Sequence, residues 1–195
     1  MCGISGYIGN NKIEDSILQR TLSLMKNRGP DSQNTYEINI RRTHVYLLHS
    51  RLSIIDLTED ANQPFSSFDK TLIFNGEIYN YLELKKKLLK KGYIFKTNSD
   101  TEVLLAAFNE YGEKVFEHLN GMWALAIWDD NKKLLYLSRD IFGEKPLYIL
   151  KTTHGIYFAS EVKFIRSLLN SSLQINENYI NNFIIYGYRA LNKTN

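Results

Sequence analysis

Short runs in which apolar and polar residues alternate occur in both halves of the chain and predict β-strands. The runs cover residues 3–9, 36–40, 45–49, 71–74, 122–128, 133–138, 146–150 and 156–159. Tight polar turns such as 129–132 separate neighbouring runs in the second half, which is typical of antiparallel sheets. The run at 71–74 is expected to end at Asn75-Gly76, because Asn-Gly is a strong turn signal.

Apolar residues recur at helical spacing in five further segments, namely 13–26, 77–91, 100–111, 161–169 and 177–186. Gly92 is expected to terminate the second helix, and a capping box over 99–102 is expected to open the third. Strands, then helices, then strands follow one another without the alternation typical of a parallel doubly wound sheet. We therefore predict an α+β fold in which two antiparallel sheets stack and helices cover their outer faces.

Composition narrows the function classes. The 195 residues, of which 44% are hydrophobic, suffice for one globular domain. The net charge of +3 is weak, and the lysines within 85–91 share a helical pattern with leucines, so no nucleic-acid partner is predicted.

A single cysteine excludes an internal disulfide, and the four histidines lack metal-ligand spacing, so no metal site is expected. No apolar run is long enough to span a membrane, and no signal peptide precedes Cys2, so we expect a cytoplasmic protein.

Cys2 is the first candidate for chemistry. Removal of Met1 would leave a thiol and an α-amino group on the same residue. Their ordinary pKa values, about 8.5 and about 7.7–8.0, are close enough for the amine to accept the thiol proton. Hydrolysis of an amide by Cys2 would then need no histidine. Alternatively, Cys2 is a small buried apolar residue or an exposed thiol open to acylation.

Asn75 and Gly76 follow a predicted strand. The side-chain amide and the glycine N–H could stabilise the oxyanion that forms when a thiolate attacks an amide carbonyl. Considered alone, the pair is more often the signature of a turn.

Two charged residues could bind the ends of an amino acid. Arg51 could hold a carboxylate through two parallel hydrogen bonds, although a salt bridge to Asp56 or Asp31 is an ordinary alternative. Asp100 could hold an ammonium group, although a carboxylate is favoured in the first turn of any helix.

Taken together, the motifs resemble the glutaminase domain of glutamine-hydrolysing asparagine synthetases, from Cys2 to about Leu169. The segments that carry the resemblance are 2–4, 28–31, 49–57, 63–64, 74–81, 97–103, 119–122, 126–129, 138–140, 142–148 and 158–163.

The resemblance implies a class II glutamine amidotransferase, an N-terminal nucleophile hydrolase with an αββα four-layer sandwich. It implies that Cys2 is the nucleophile, that its α-amino group is the base, and that Asn75 and Gly76 form the oxyanion hole. It also implies a set of residues that bind glutamine, namely Arg51, Leu52, Ser53, Ile54, Ile55, Asn75, Gly76, Glu77 and Asp100. Glutamine would be hydrolysed to glutamate and ammonia through a thioester. We expect Arg51→Ala to raise KM far more than it disturbs folding.

The resemblance further implies two parts, an amidotransferase domain at 1–170 and, at 171–195, the start of a connection to a synthetase domain. That domain would use ATP and Mg to convert aspartate to asparagine, and no cofactor is expected in the glutaminase domain itself. Its Ser-Gly-Gly-x-Asp-Ser motif is absent from the 195 residues, so an excised fragment or a truncated chain is expected. Apolar residues in 180–186 would pack against that domain or promote a homodimer. Two alternative functions remain open. The chain could belong to a related amidotransferase with another ammonia acceptor, or it could be an inert module that retains Met1.

Overall fold

The computed structural model describes residues 1–187 and contains two antiparallel sheets. The first sheet has the strand order β2-β3-β1-β9-β8, and the second has the order β4-β5-β6-β7. The strands are β1 (Gly3–Gly9), β2 (Ser32–Ile40), β3 (Thr43–Arg51), β4 (Phe65–Ser67), β5 (Lys70–Ile78), β6 (Gly121–Asp129), β7 (Leu134–Arg139), β8 (Tyr148–Thr152) and β9 (Gly155–Ala159).

Five α-helices occur among the described residues, namely α1 (Asp15–Met25), α2 (Tyr81–Lys90), α3 (Asp100–Tyr111), α4 (Val162–Leu169) and α5 (Glu177–Tyr186). Two short 3₁₀ helices lie at Glu59–Ala61 and Gly112–Glu117. Helices α1 and α4 pack on the five-stranded sheet, and α2 and α3 pack together beside the four-stranded sheet.

Three hydrophobic layers hold the four structural layers together. Side chains between the two sheets form the central layer, which comprises Ile4, Val45, Leu47, Ile73, Ala124, Ala126, Trp128 and Phe158. Strands contribute every second residue to this layer, because alternate side chains point to opposite faces of a sheet. The remaining faces bury their apolar residues against the helices. The predicted αββα sandwich is therefore confirmed.

The N-terminal strand β1 lies inside its sheet rather than at an edge. It pairs with β3 from Gly3↔Ser50 to Gly9↔His44 and with β9 from Ser5↔Ala159 to Gly9↔Gly155. Because both neighbours hold it along its length, the residue just before β1 has a defined position.

The expected break at Asn75-Gly76 is wrong. Strand β5 continues through both residues to Ile78 and pairs with β6 along its whole length. As a result, α2 begins at Tyr81, four residues later than the periodicity predicted. The short strand β4, which has only three residues, was not predicted from the sequence.

The expected start of α3 is correct, but the capping box is only half formed. The Ser99 hydroxyl accepts a hydrogen bond from Thr101 N–H at 3.0 Å. The Glu102 carboxylate does not reach back to Ser99 and instead accepts from the Thr97 N–H at 2.7 Å. Glu102 therefore fixes the loop that precedes the helix.

Helix α5 buries none of its side chains. Its apolar residues are exposed, including Ile180, Phe183, Ile184, Ile185 and Tyr186. The last part of the predicted connecting segment, 188–195, lies outside the described residues.

Candidate active site

The pocket with the candidate residues lies at one end of the layer between the two sheets. Along β3, Arg51 has the same side-chain direction as Val45 and Leu47 of the central layer, and along β5, Asn75 shares that of Ile73. Arg51 and Asn75 therefore lie on the same inward-facing sides of the two sheets, just beyond the end of the apolar layer. They line a pocket with a cavity volume of about 90 Å³.

Cys2 is half-buried at the start of β1 and lies against the end of β3. Its Sγ accepts a hydrogen bond from Leu52 N–H at 3.4 Å and lies 3.6 Å from the Leu52 carbonyl oxygen. The Cys2 carbonyl accepts from Arg28 Nε at 2.9 Å, and Arg28 Nη1 is paired with Glu161 at 3.0 Å. Contacts on both sides of the residue therefore fix the thiol.

Burial raises the pKa of the Cys2 thiol above its ordinary value. The Leu52 N–H, the positive amino terminus and the Arg51 guanidinium oppose this rise, whereas Asp100 adds to it. In the chain with Met1 removed, the positive α-amino group would lie on Cys2 itself. A cation that close favours the thiolate more strongly.

The side-chain amide of Asn75 is an unpaired hydrogen-bond donor among the described residues. Its side chain is buried, and Nδ2 has no hydrogen-bond partner within residues 1–187. Buried polar groups are nearly always paired, so an open donor in a pocket wall indicates a place for a ligand acceptor.

Gly76 directs its backbone to the open edge of β5. The residue opposite it on β6, Trp123, uses its N–H and C=O for Asp140, at 3.3 and 2.9 Å. Because Trp123 is turned to β7, the Gly76 N–H points away from β6. A Cβ at position 76 would meet the Met122 carbonyl oxygen and approach the Phe74 ring to 2.6 Å. Only glycine fits here.

Arg51 is buried and held by the loop that follows β3. Nη1 donates to the Thr58 carbonyl and to Asn62 Oδ1, each at 2.8 Å, and Nη2 donates to the Asp56 carbonyl. It forms no salt bridge within the described residues, so the ordinary alternative of a pair with Asp56 or Asp31 is wrong. A guanidinium has five N–H donors, so two remain for a ligand.

Asp100 and Glu77 are the acidic residues that line the pocket. Asp100, the first residue of α3, accepts from the Ile78 N–H at 3.0 Å. Burial raises the pKa of its carboxyl from 3.8 to about 6, against the effect of backbone hydrogen bonds, and the nearby Glu77 charge adds to the rise. A cation at this position would lower the pKa and satisfy the buried carboxylate.

The structure brings the candidate residues together with one exception. Ser53 does not line the pocket, and its N–H donates instead to Asp31 Oδ2 at 2.7 Å. The pocket also includes residues that the sequence analysis did not single out, namely Ala61, Gln63, Phe74, Ser99, Thr101, Met122 and Lys145. All of these except Ala61 lie in the segments that carry the family resemblance, which was the signal that could have found them.

Met1 also lines the pocket, and its Sδ accepts a contact from Lys145 Nζ at 3.4 Å. Lys145 is 7% exposed and forms no salt bridge within residues 1–187. The Met1 side chain therefore occupies space and a polar contact that would become free if the residue were removed.

No group of three or more His, Cys, Asp or Glu side chains in the described chain is arranged to hold a metal ion. Among the same residues, no helix has the length and apolar character needed to cross a bilayer.

The fold and site together define a class, an αββα sandwich with a cysteine thiol at the start of a central strand and a pocket beside it. A solved structure, glutamine PRPP amidotransferase from B. subtilis, has this fold. It superposes with a TM-score of 0.71 and 20% sequence identity over 88% of this chain and 44% of that chain.

The chain belongs to the glutamine amidotransferase family, whose domain it matches over residues 1–195. Asparagine synthetase [glutamine-hydrolyzing] 1 of Bacillus subtilis is 43% identical over 170 residues, which are 84% of this chain and 26% of the relative. Putative asparagine synthetase [glutamine-hydrolyzing] 2 of Methanocaldococcus jannaschii is 34% identical over 96% of this chain and 40% of its own length. The resemblance found in the sequence is confirmed, and the chain spans about a quarter of the Bacillus relative.

Proposed function

We propose that this chain hydrolyses L-glutamine to glutamate and ammonia through a thioester on Cys2. The observation that carries the proposal is the unpartnered, buried Nδ2 of Asn75 in the pocket wall that Cys2 also lines. A donor held ready without a partner is what an oxyanion requires, because it needs no rearrangement when the charge develops.

The reaction begins with removal of Met1. The Cys2 thiol then transfers its proton to the α-amino group, and Sγ attacks the γ-carbonyl carbon of glutamine. The oxyanion accepts hydrogen bonds from Asn75 Nδ2 and Gly76 N–H. The C–N bond breaks as the α-ammonium returns the proton to the leaving nitrogen, which departs as ammonia. Water attacks the thioester in the same way, the C–S bond breaks, and glutamate leaves.

Selection of a free amino acid follows from the oppositely charged residues that line the pocket. The two free donors of Arg51 bind the α-carboxylate, and Asp100 with Glu77 binds the α-ammonium. Backbone and side chains of Leu52, Ile54 and Ile55 border the space between them. A site with buried polar partners rejects analogues that leave those partners unpaired.

We further propose that residues 1–170 form the amidotransferase domain and that 171–195 begin the connection to a synthetase domain. There, with ATP and Mg, the ammonia would convert aspartate to asparagine. The names of the relatives and the exposed apolar face of α5 support this reading. In the isolated chain that face would associate with a second copy, and gel filtration that gives a strict monomer at high concentration would count against it.

Glutamate release from glutamine, measured together with the intact mass, tests the proposed function. The chain without Met1 should turn over glutamine, and Cys2→Ala should not. A chain that retains Met1 should be inactive, because an acylated nitrogen cannot serve as the base. If the chain without Met1 folds but releases no glutamate, the proposal is wrong.

The acceptor reaction needs its own experiment in the longer protein. With aspartate, ATP and Mg, the protein should form asparagine from glutamine or from added ammonia. Cys2→Ala should abolish only the glutamine-dependent reaction. Equal loss of both reactions would contradict the division of labour proposed here.

A further inference from the structure

Strand β5 has an open edge at the point where it delivers Asn75 and Gly76 to the pocket. Strand β4 covers β5 only over Lys70–Leu72. At Phe74, two side chains take the place of a neighbouring strand. The Phe74 N–H donates to Gln63 Oε1 at 2.6 Å, and the Phe74 carbonyl accepts from His49 Nε2 at 3.1 Å.

His49 links the two sheets, since it lies on β3 and contacts β5. The ring is fully buried, and Nδ1 has no partner among residues 1–187. Burial lowers the pKa of His49 to about 3, and the Arg51 charge contributes to this, so the imidazole is neutral. With Nδ1 unpaired and buried, the ring hydrogen belongs on Nε2, where it is donated to Phe74.

Gln63 links the same point to α3. Its side chain is buried, and Nε2 donates to Thr101 Oγ1 at 3.3 Å. Thr101 follows Asp100, whose carboxylate binds the Ile78 N–H farther along β5. The open edge of β5 is therefore held by hydrogen bonds at Phe74 and at Ile78. The Gly76 N–H lies between these two positions.

We propose that His49 and Gln63 are positioning residues that hold the backbone of β5 so that Asn75 and Gly76 aim their donors at the oxyanion. This inference rests on the proposed function. His49 does not line the pocket, and the side-chain amide of Gln63, which does, is bonded to Phe74 and Thr101. Each acts through Phe74, whose carbonyl belongs to the peptide bond that leads into Asn75.

The test compares His49→Leu and Gln63→Met with the parent, all as the whole chain with Met1 removal verified by mass. Both variants should lower kcat for glutamine by about 10- to 100-fold, because a small displacement of catalytic donors has effects of that size. KM should change by less than about threefold. Alkylation of Cys2 by iodoacetamide should proceed at the parent rate, since it needs no oxyanion hole. The His49→Gln variant, which retains a donor, should recover most of kcat.

Thr21→Val is the matched control, because Thr21 Oγ1 makes a buried hydrogen bond to Ser167 Oγ at 2.8 Å between α1 and α4. It should lower the melting temperature without lowering kcat. If Thr21→Val lowers kcat as much as His49→Leu, the effect is one of general stability and the inference is wrong. Should His49→Leu fail to fold, the Gln63→Met result decides the question.

A double-mutant cycle with Asn75→Ala separates positioning from an independent role. In the Asn75→Ala background, His49→Leu should lower kcat less than it does in the parent, because one of the two donors that it positions is already gone. Fully additive losses would overturn the inference. A parent that folds without Met1 but has no activity would defeat the proposed function itself, whereas an active parent with fully active variants would defeat only this inference.

Discussion

The carboxylate of Asp100 accepts a hydrogen bond from the backbone N–H of Ile78 at 3.0 Å. This contact joins the first residue of α3 to the strand that carries Asn75 and Gly76. The proposed ammonium-binding residue and the proposed oxyanion hole are therefore directly connected through β5.

Asp100→Asn is expected to stabilise the fold while weakening glutamine binding. Raising the pKa from 3.8 to about 6 corresponds to about 3 kcal/mol for ionising the carboxyl in the folded protein at pH 7. Asparagine keeps an acceptor for Ile78 and carries no charge. We expect the free energy of unfolding to rise by about 1–3 kcal/mol at pH 7 in urea titrations.

The pH dependence of that gain provides the control. Because the folded pKa of Asp100 lies above its unfolded value, the folded protein binds the proton more tightly. The stability that this proton contributes is fully present below about pH 4 and is lost as pH rises through about 6. Variant and parent should therefore be equally stable near pH 3.5. A constant difference at all pH values would contradict the assignment.

Catalytic efficiency should have an acid limb set by Asp100. In the free protein, kcat/KM for glutamine should fall below about pH 6 as the carboxyl becomes protonated and loses its attraction for the ammonium. Glu77→Gln should move the limb to lower pH, since the Glu77 charge raises the pKa of Asp100. An unmoved limb would show that another group controls it.

Loss of Arg51 should affect both binding and the adjacent loop. The sequence alone led us to expect Arg51→Ala to raise KM with little effect on folding. The three bonds from its guanidinium to the loop at 56–62 change that expectation. KM should rise by about 10- to 150-fold, as expected for a lost charged hydrogen bond, and the melting temperature should also fall. Asn62→Ala, which removes one of the loop bonds, should lower stability without a comparable rise in KM.

Much of this architecture is predictable from the sequence, because alternation and helical periodicity determine which faces are buried. The observed boundaries of β1, β9 and α5 agree with the predicted ones to within one residue. Asn75-Gly76 does not, because pairing with β6 over nine residues outweighs the local turn preference of the dipeptide. Local signals cannot report a partner strand that lies some fifty residues farther along the chain.

The same limit explains why His49 and Gln63 were missed as participants in the site. Each acts on the backbone of Phe74, which lies 25 and 11 residues away in sequence. No spacing rule links a histidine on one sheet to a carbonyl on the other. The chemistry proposed for Cys2, in contrast, can be inferred from its position in the sequence, since a thiol beside the N-terminus needs no distant base.

Arg28 is expected to hold Cys2, the proposed nucleophile, in place. Its Nε donates to the Cys2 carbonyl at 2.9 Å, and Nη1 pairs with Glu161. Arg28→Met should lower kcat for glutamine by about 10- to 100-fold, because the first residue of the chain would lose its backbone anchor. Lys163→Ala is the control, since Lys163 contacts the same Glu161 at 2.8 Å from an exposed position. It should leave kcat near that of the parent, and a matching loss would refute the role of Arg28.

Gly76→Ala should abolish activity through a backbone shift. The added Cβ would overlap the Met122 carbonyl and the Phe74 ring, so β5 must move away from β6. We expect a loss of about 3 kcal/mol in the free energy of unfolding and no measurable glutamate release. Gly112→Ala separates crowding from ordinary glycine effects, because position 112 has φ +60° with no atom within 4 Å of a Cβ. That variant should lose about 1–3 kcal/mol from backbone strain and retain full activity. If both variants lose activity equally, the close approach of β5 to β6 at Gly76 is not what the oxyanion hole requires.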